Sequence, residues 1–320
     1  MTTLIRLMRE TDIDAVRRVE AAAFGAWLKQ AHGRAEDLPW RTRTHVLALR
    51  EKDPGGCFVA EHDGRLVGLV FSRTWGSVGW FGTFAVLPGF QGQGIGKRLI
   101  AASLDYLRQE PGRVIGLETM PDSPYNLGLY LKQGFRLRPL TLRMSKTLSP
   151  CVQDDVELPR WSEADPETRR RWLADLRRAT GQIRPGLDYS KEIAVTARHR
   201  LGDTLFLTRD GQAVGMSTVT LVSTREGQDE EGGAAHPMVL HPAHANEESL
   251  NALLAATETL GRACGKQTIT LPVNGRHTGA LEQILRSGYR VERGLVRMVL
   301  TGTDAGPCTD RHVNLSAWAG

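Results

Sequence analysis

The chain has 320 residues, 41% of them hydrophobic and 24% charged, and a net charge of +5. That length exceeds an ordinary single core and predicts two domains. No stretch reaches the ~20 apolar residues of a membrane span, and Met1–Arg6 lacks the apolar core of a signal peptide, so a cytoplasmic protein without membrane contact is expected. The positive excess is small and partly local: Arg169–Arg171 and Arg177–Arg178 share one predicted helix, which reads as a solvated face and not as a nucleic-acid surface. Cys57, Cys151, Cys264 and Cys308 show no C-x-x-C spacing and read as reduced thiols. His241 and His244 straddle Pro242 with no second ligand pair, so no metal is expected.

In chain order, Leu4–Arg9 alternates as a short strand. Thr11–Asp14 then offers caps for a helix carrying Val16, Val19, Ala22 and Ala23 on one side. From Phe24 to Trp40 the pattern is less regular. Cys57–Ala60 and Leu66–Phe71 predict two strands joined at Asp63-Gly64, a strong hairpin signal. Trp80–Val86 is the next strand. Lys97–Gln109 has Leu99, Ile100, Ser103, Leu104 and Leu107 at helical spacing and ends at Pro111-Gly112. Arg113–Thr119 predicts a strand, Ser123-Pro124 opens a helix, and Leu140–Ser145 is a closing strand. The polar, proline-bearing stretch Thr147–Asp155 places a domain boundary near residue 150.

The stretch from Phe84 to Ile100 carries the chemistry. An apolar run stops at Pro88, passes Gly89, Gly92, Gly94 and Gly96, and restarts as a helix. Glycines let backbone approach a ligand and adopt positive φ, and a helix N-terminus presents unpaired N–H groups to an anion. A P-loop would need glycine at Gln91 and a hydroxyl at Arg98; a dinucleotide fingerprint beginning at Gly92 would need glycine at Lys97. Both fail. The pattern that fits is Q-x-x-G-x-G at Gln91, Gly94 and Gly96, and it resembles the acetyl-CoA loop of the GNAT acetyltransferase superfamily. Further along, Leu129-Tyr-Leu-Lys-Gln-Gly-Phe135 resembles that superfamily's second hallmark, in the expected order.

The resemblance implies a mixed α/β fold, a mostly antiparallel sheet flanked by helices, and acetyl transfer from acetyl-CoA to an amine of a small molecule or peptide, by a monomer or homodimer. It implies cofactor binding by Gln91, Gly92, Gln93, Gly94, Ile95, Gly96, Lys97 and Arg98, pairing of the pantetheine arm with backbone at Phe84, Ala85 and Val86, a further contact at Tyr125, and Tyr130 as the acid that protonates the departing thiolate. Glu118, at a strand end, is the foremost sequence candidate for general base; Glu61 and Asp122 are others. A non-catalytic acyl-CoA-binding protein is the alternative.

Beyond residue 150 the pattern recurs. A strand at Val156–Trp161 precedes a helix from about Pro166, and Leu205–Leu207, Asp210-Gly211 and Ala213–Met216 repeat the earlier hairpin. Pro242 lies 154 positions after Pro88, and Gly288 lies 154 after Gly134, which marks an internal repeat. At that separation Gln91, Gly94, Gly96 and Tyr130 fall on Ala245, Glu248, Leu250 and Ile284. The expected organisation is therefore two tandem GNAT folds, an intact one over 1–150 and a degenerate one over 151–302. Glu247 and Glu248 at a helix N-terminus would repel a pyrophosphate. Mycothiol synthases are tandem members of this superfamily whose second copy is catalytic, and the lost motif here argues against that role. Thr224–Ala235 reads as a long exposed hairpin loop, and the apolar tail 303–320 is expected to dock, as a strand, against the first domain.

Overall fold

A computed structural model describes residues 2–33, 38–150, 156–227, 232–301 and 313–314. Strand β1 (Thr3–Leu7) leads into helices α1 (Ile13–His32) and α2 (Arg43–Lys52). Strands β2 (Cys57–His62), β3 (Arg65–Trp75) and β4 (Val78–Val86) follow as an antiparallel meander. Then come α3 (Ile95–Leu107), β5 (Val114–Thr119), α4 (Pro124–Lys132), the two-residue β6 (Arg136–Leu137) and β7 (Thr141–Thr147). The second half contains α5 (Pro166–Ile183), α6 (Ser190–Arg198), β8 (Gly202–Arg209), β9 (Gln212–Thr220), β10 (Gly232–Val239), α7 (Glu247–Ala263), β11 (Thr268–Asn274), α8 (Thr278–Arg286), β12 (Arg290–Thr301) and β13 (Val313–Asn314).

Local sequence explains most of these boundaries. The β2–β3 and β8–β9 turns place Asp63-Gly64 and Asp210-Gly211 at positive φ, the conformation that a two-residue hairpin demands. Helix α1 runs further than its apolar pattern suggests, through Phe24 and Trp27, because nothing in this alanine-rich stretch breaks it before Gly33. That glycine is left-handed and its N–H bonds the Lys29 carbonyl at 3.0 Å. The expected strand at Val156–Trp161 does not form. Pro159 lacks a donor, and the segment makes only an isolated bridge at Arg160 with two flanking backbone bonds to β8. Helices α2 and α6 add to the expected elements. The expected linker residues 151–155 lie outside the described residues.

The strands form one sheet in the order β1-β2-β3-β4-β5-β12-β7-β11-β10-β9-β8. It is mixed and mostly antiparallel; β4–β5 and β10–β11 are its parallel pairs among the described residues. Helix α3 buries Leu99, Ile100, Leu104 and Leu107 on one face of the first half, against Val67, Val70 and Phe81. Helices α1 and α2 cover the opposite face with Ile13, Val16, Val46 and Leu49, against Val59, Leu69 and Phe71. The sheet does not divide at residue 150. Strand β12, from the second half, lies beside β5, and β7, from the first, lies beside β11. A further core joins the halves: Trp75, Val78, Trp80 and Val114 pack with Trp172, Leu176, Phe206, Met216 and Met238.

Close approach fixes one point of this junction. Trp80 pairs with Gly116 across β4 and β5, and a Cβ on Gly116 would lie 2.3 Å from the indole ring. Gly116→Ala is therefore expected to destabilise the fold by about 1–3 kcal/mol, measured by urea unfolding. Gly128→Ala in α4, where a Cβ meets nothing within 4 Å, is expected to leave stability unchanged or raise it.

Candidate active site

Strands β4 and β5 pair only at their N-terminal ends, at Val78–Val114, Gly79–Ile115 and Trp80–Gly116. Beyond that point they separate. Phe81–Val86 stays with β3, whereas Leu117–Thr119 stays with β12. The separation begins at a bulge in β4, where Gly82 and Thr83 together oppose Phe71, and the added residue twists the strand locally. One edge of β4 from Phe81 to Val86 is left facing an opening.

That opening runs into the glycine loop. Pro88–Phe90 forms a 3-10 turn, Gly92 and Gly94 are left-handed, and Gly94 caps α3 without a side-chain hydrogen bond. Among the described residues, the amides of Gly92, Gln93, Gly94, Ile95, Gly96 and Lys97 donate to no backbone carbonyl; the first bonded amide of the helix is Arg98, to Gly94 at 3.2 Å. Six amides and the positive end of the α3 dipole thus face one loop. Side chains brace it. Gln91 Nε2 donates to the Val86 carbonyl at 2.9 Å, and Gln93 Nε2 to the Gly89 carbonyl at 3.3 Å. Gly96 fits closely, since a Cβ there would lie 3.1 Å from the Phe84 ring, which would have to give way. Lys97 is exposed, and Arg98 Nη1 donates to the Thr3 carbonyl at 2.8 Å, tying α3 to β1.

Tyr130 lies on α4 and is 5% exposed, with its ring edge-on to Phe81 at 5.9 Å and to Phe135 at 6.0 Å. Phe81 is the first β4 residue past the last β4–β5 pair, so Tyr130 is beside the point of divergence. Burial holds its phenol well above the usual tyrosine range, so it stays protonated. Tyr125, on the first turn of α4, is 73% exposed.

The candidate bases fall in different places. Glu118 is not a solvated strand-end charge: its side chain is 0% exposed, accepts a hydrogen bond from the Thr141 hydroxyl, and lies 3.9 Å from Arg297, whose guanidinium covers the Trp80 ring at 4.8 Å. It is enclosed where β5, β12 and β7 meet. Glu61 is engaged by Arg6, at 2.7 Å, on the far side of β3. Asp122 is exposed in the connection to α4.

A wall that the sequence does not announce closes the other face of β4. Glu20, on α1, is 0% exposed and accepts from Arg41 at 2.8 Å and from Arg225 at 3.2 Å. Arg41 also reaches the Thr83 hydroxyl at 3.4 Å. Backbone bonds from Thr42 to Thr224 (2.9 Å) and from Glu226 to Trp40 (2.8 Å) clasp the α1–α2 connection to the segment after β9. The stretch read as an exposed loop thus begins against the first half and ends within β10, because Arg225 finds its partner in a buried carboxylate; residues 228–231 lie outside the described residues. These partners are about two hundred positions apart, and no local pattern links them.

Residues 14–135 match the family model described as "Acetyltransferase (GNAT) family". An uncharacterized N-acetyltransferase of Archaeoglobus fulgidus is 32% identical over 124 residues, 35% of this chain and 79% of that relative. The chain belongs to the GNAT acetyltransferase family. A mycothiol acetyltransferase of Cellulomonas flavigena is 33% identical over 135 residues, 39% of this chain, and the match spans only 37% of that relative's length. Among solved structures, a putative acetyltransferase from Pyrococcus horikoshii superposes with a TM-score of 0.68 at 16% identity, over 99% of this chain and 95% of that one. A tandem GNAT protein from the clavulanic acid biosynthesis pathway gives 0.57 at 15% identity, over 95% and 100%. These likenesses are of fold, and they cover both halves of the chain.

Charged side chains of this GNAT protein also meet where the halves face each other. Lys52 pairs with Glu192, close to Arg73 and His236. Burial pushes the His236 imidazole down to about 4; Glu192 opposes that shift, and Lys52 and Arg73 add to it. As pH falls below about 6.5, the unfolded chain takes up this proton before the folded one. Stability is therefore retained above that pH and lost on approach to 4. His236→Gln is expected to remove one proton's worth of that acid sensitivity, about 1.4 kcal/mol per pH unit, in urea unfolding followed from pH 6.5 to 4.5.

Proposed function

We propose that the chain transfers an acetyl group from acetyl-CoA to a primary amine of a small molecule or peptide, with the site in its first half. The observation that carries this reading is the continuity of the β4–β5 opening with a loop of unpartnered amides at a helix N-terminus. Acetyl-CoA supplies the acetyl group as an activated thioester. The amides of Gly92, Gln93, Gly94, Ile95, Gly96 and Lys97 form the pyrophosphate cradle, reinforced by the α3 dipole. The cationic side chain of Lys97 adds to it, while Arg98 holds α3 on β1. The free edge of Phe84, Ala85 and Val86 takes the pantetheine arm as a strand would take its neighbour, and it presents an N–H to the carbonyl oxygen, where charge grows during transfer.

Tyr130 gives its proton to the departing sulfur. Burial keeps the phenol protonated before the sulfur departs. Tyr125 borders the mouth. Glu118, enclosed by Thr141 and Arg297, serves to position β5 against β12, and the proton of the amine leaves through solvent. The Glu20–Arg41–Arg225 wall beside Thr83 bounds the side from which the amine approaches. In the second half the equivalents of Gln91, Gly94 and Gly96 are Ala245, Glu248 and Leu250, so that half shapes the molecule without a cofactor loop of its own.

Two measurements test this. Calorimetry is expected to give one acetyl-CoA bound per chain, with affinity falling about tenfold or more in Gly94→Val, where a β-branched residue meets a left-handed φ. No heat at millimolar acetyl-CoA would remove the proposal. Tyr130→Phe is expected to lower kcat about 100-fold while leaving KM for acetyl-CoA nearly unchanged. Binding without transfer to any amine would instead favour the acyl-CoA-binding alternative.

A further inference from the structure

The second half repeats the first at one fixed separation. Strands β10 and β11 pair at Gly232–Thr268, Gly233–Ile269 and Ala234–Thr270, each position 154 beyond its counterpart in the β4–β5 pairs. The 3-10 turn Pro88–Phe90 recurs at Pro242–His244, α4 recurs as α8, and left-handed Gly134 recurs as Gly288. The same divergence follows. Beyond Ala234 and Thr270, β10 stays with β9 while β11 stays with β7. A second opening results.

This opening is occupied. Strand β13 pairs antiparallel with β10, Asn314 opposite Met238 and Val313 opposite Val239. At those residues the other edge of β10 is taken by Met216 and Gly215 of β9, so β13 lies on the edge that faces β11. Met238 and Val239 stand 154 positions after Phe84 and Ala85, the backbone assigned above to the pantetheine arm. Val313 and Asn314 thus pair within the second half. The remaining tail residues lie outside the described residues.

The neighbouring helix end is built against an anion. The Asn246 side chain caps α7 by accepting from the Ser249 amide at 2.9 Å, and Glu247 and Glu248 occupy its first turn. The Glu247 carboxylate meets Arg286 at 2.8 Å, and Glu248 meets Arg209 at 3.3 Å. The Ser249 amide is capped and the charge is reversed, yet the strand edge beside them persists. A free strand edge of buried residues needs a hydrogen-bonding partner. What suits this site is extended peptide backbone without phosphate.

We propose that the second-half opening is a strand-accepting site whose ligand is the C-terminal segment of this chain around Val313–Asn314. Backbone bonds to Met238 and Val239 hold the segment, as in strand-addition complexes, and it closes the second opening to a pantetheine arm. The parallel with pantetheine rests on the function proposed above; the strand pairing does not.

The test uses the chain truncated after Gly302 and a labelled peptide of residues 303–320. Fluorescence anisotropy is expected to show saturable one-to-one binding to the truncated chain and none to the full chain. No binding, or equal binding to both, would overturn the proposal. Should the truncated chain fail to fold by circular dichroism, the decisive variant is the full chain carrying Val313→Pro and Asn314→Pro. Both positions are changed because alternate amides face the neighbouring strand. Hydrogen exchange across Met238–Val239 is expected to quicken about tenfold or more while exchange across Phe84–Val86 stays as before; unchanged exchange across Met238–Val239 overturns the idea. An acetyl-CoA titration of the same samples reads the first half independently, so failure there leaves the peptide result standing.

Discussion

The crossing of β7 and β12 is the constraint on which the rest of the molecule depends. Strand β12 holds the edge of β5 that faces away from β4, through Val296, Arg297 and Met298, and β7 in turn holds β12 and β11. With that edge bonded, β5 stays with β12 where it leaves β4. The opening beside Phe84–Val86 is thus kept apart by hydrogen bonds on its far side. A polar line crosses the seam: Glu118 on β5 accepts from Thr141 on β7, and Asn274 on β11 lies 3.3 Å from the same hydroxyl. Charge and hydrogen bonding inside a sheet are tolerated only when each group is matched.

Ion pairs between α2 and its surroundings then set how the halves face each other. Glu51, Lys52 and Asp53 are consecutive, and each meets the second half, at His199 and Arg198, at Glu192, and at Lys191. Asp53 is the most enclosed, receiving Thr74, Tyr106 and Lys191 together. Desolvation offsets much of the attraction in such enclosed pairs, but three in a row, alternating in sign, discriminate strongly between the right register and a shifted one. The apolar contacts of Trp75 and Trp80 with Trp172 and Phe206 supply the attraction, and the charges select the fit.

Much of this was legible in the letters because the relevant signals are local. Asp-Gly turns, the Ser123-Pro124 start and the glycine loop each depend on neighbours in sequence, and the structure matches each. The departures are long-range. The enclosure of Glu118 depends on Thr141 and Arg297, and Arg297 arrives from the second half. The wall at Glu20 needs Arg225. The letters do not announce helices α2 and α6, because each carries charges whose partners lie on the other half of the molecule. The letters hold no signal for which of two similar edges Val313 and Asn314 meet.

Placing β12 beside β5 also orders events during synthesis. By the time Val114–Thr119 has left the ribosome, the strand that must cover its edge is still unmade, since Arg290–Thr301 comes almost last among the described residues. The first half therefore waits with an open sheet edge of buried residues, the kind of surface on which chains join their neighbours. Long waits for distant contacts slow folding. An isolated first half would keep that edge permanently, so the two halves of this protein are to be inherited, expressed and engineered as one piece.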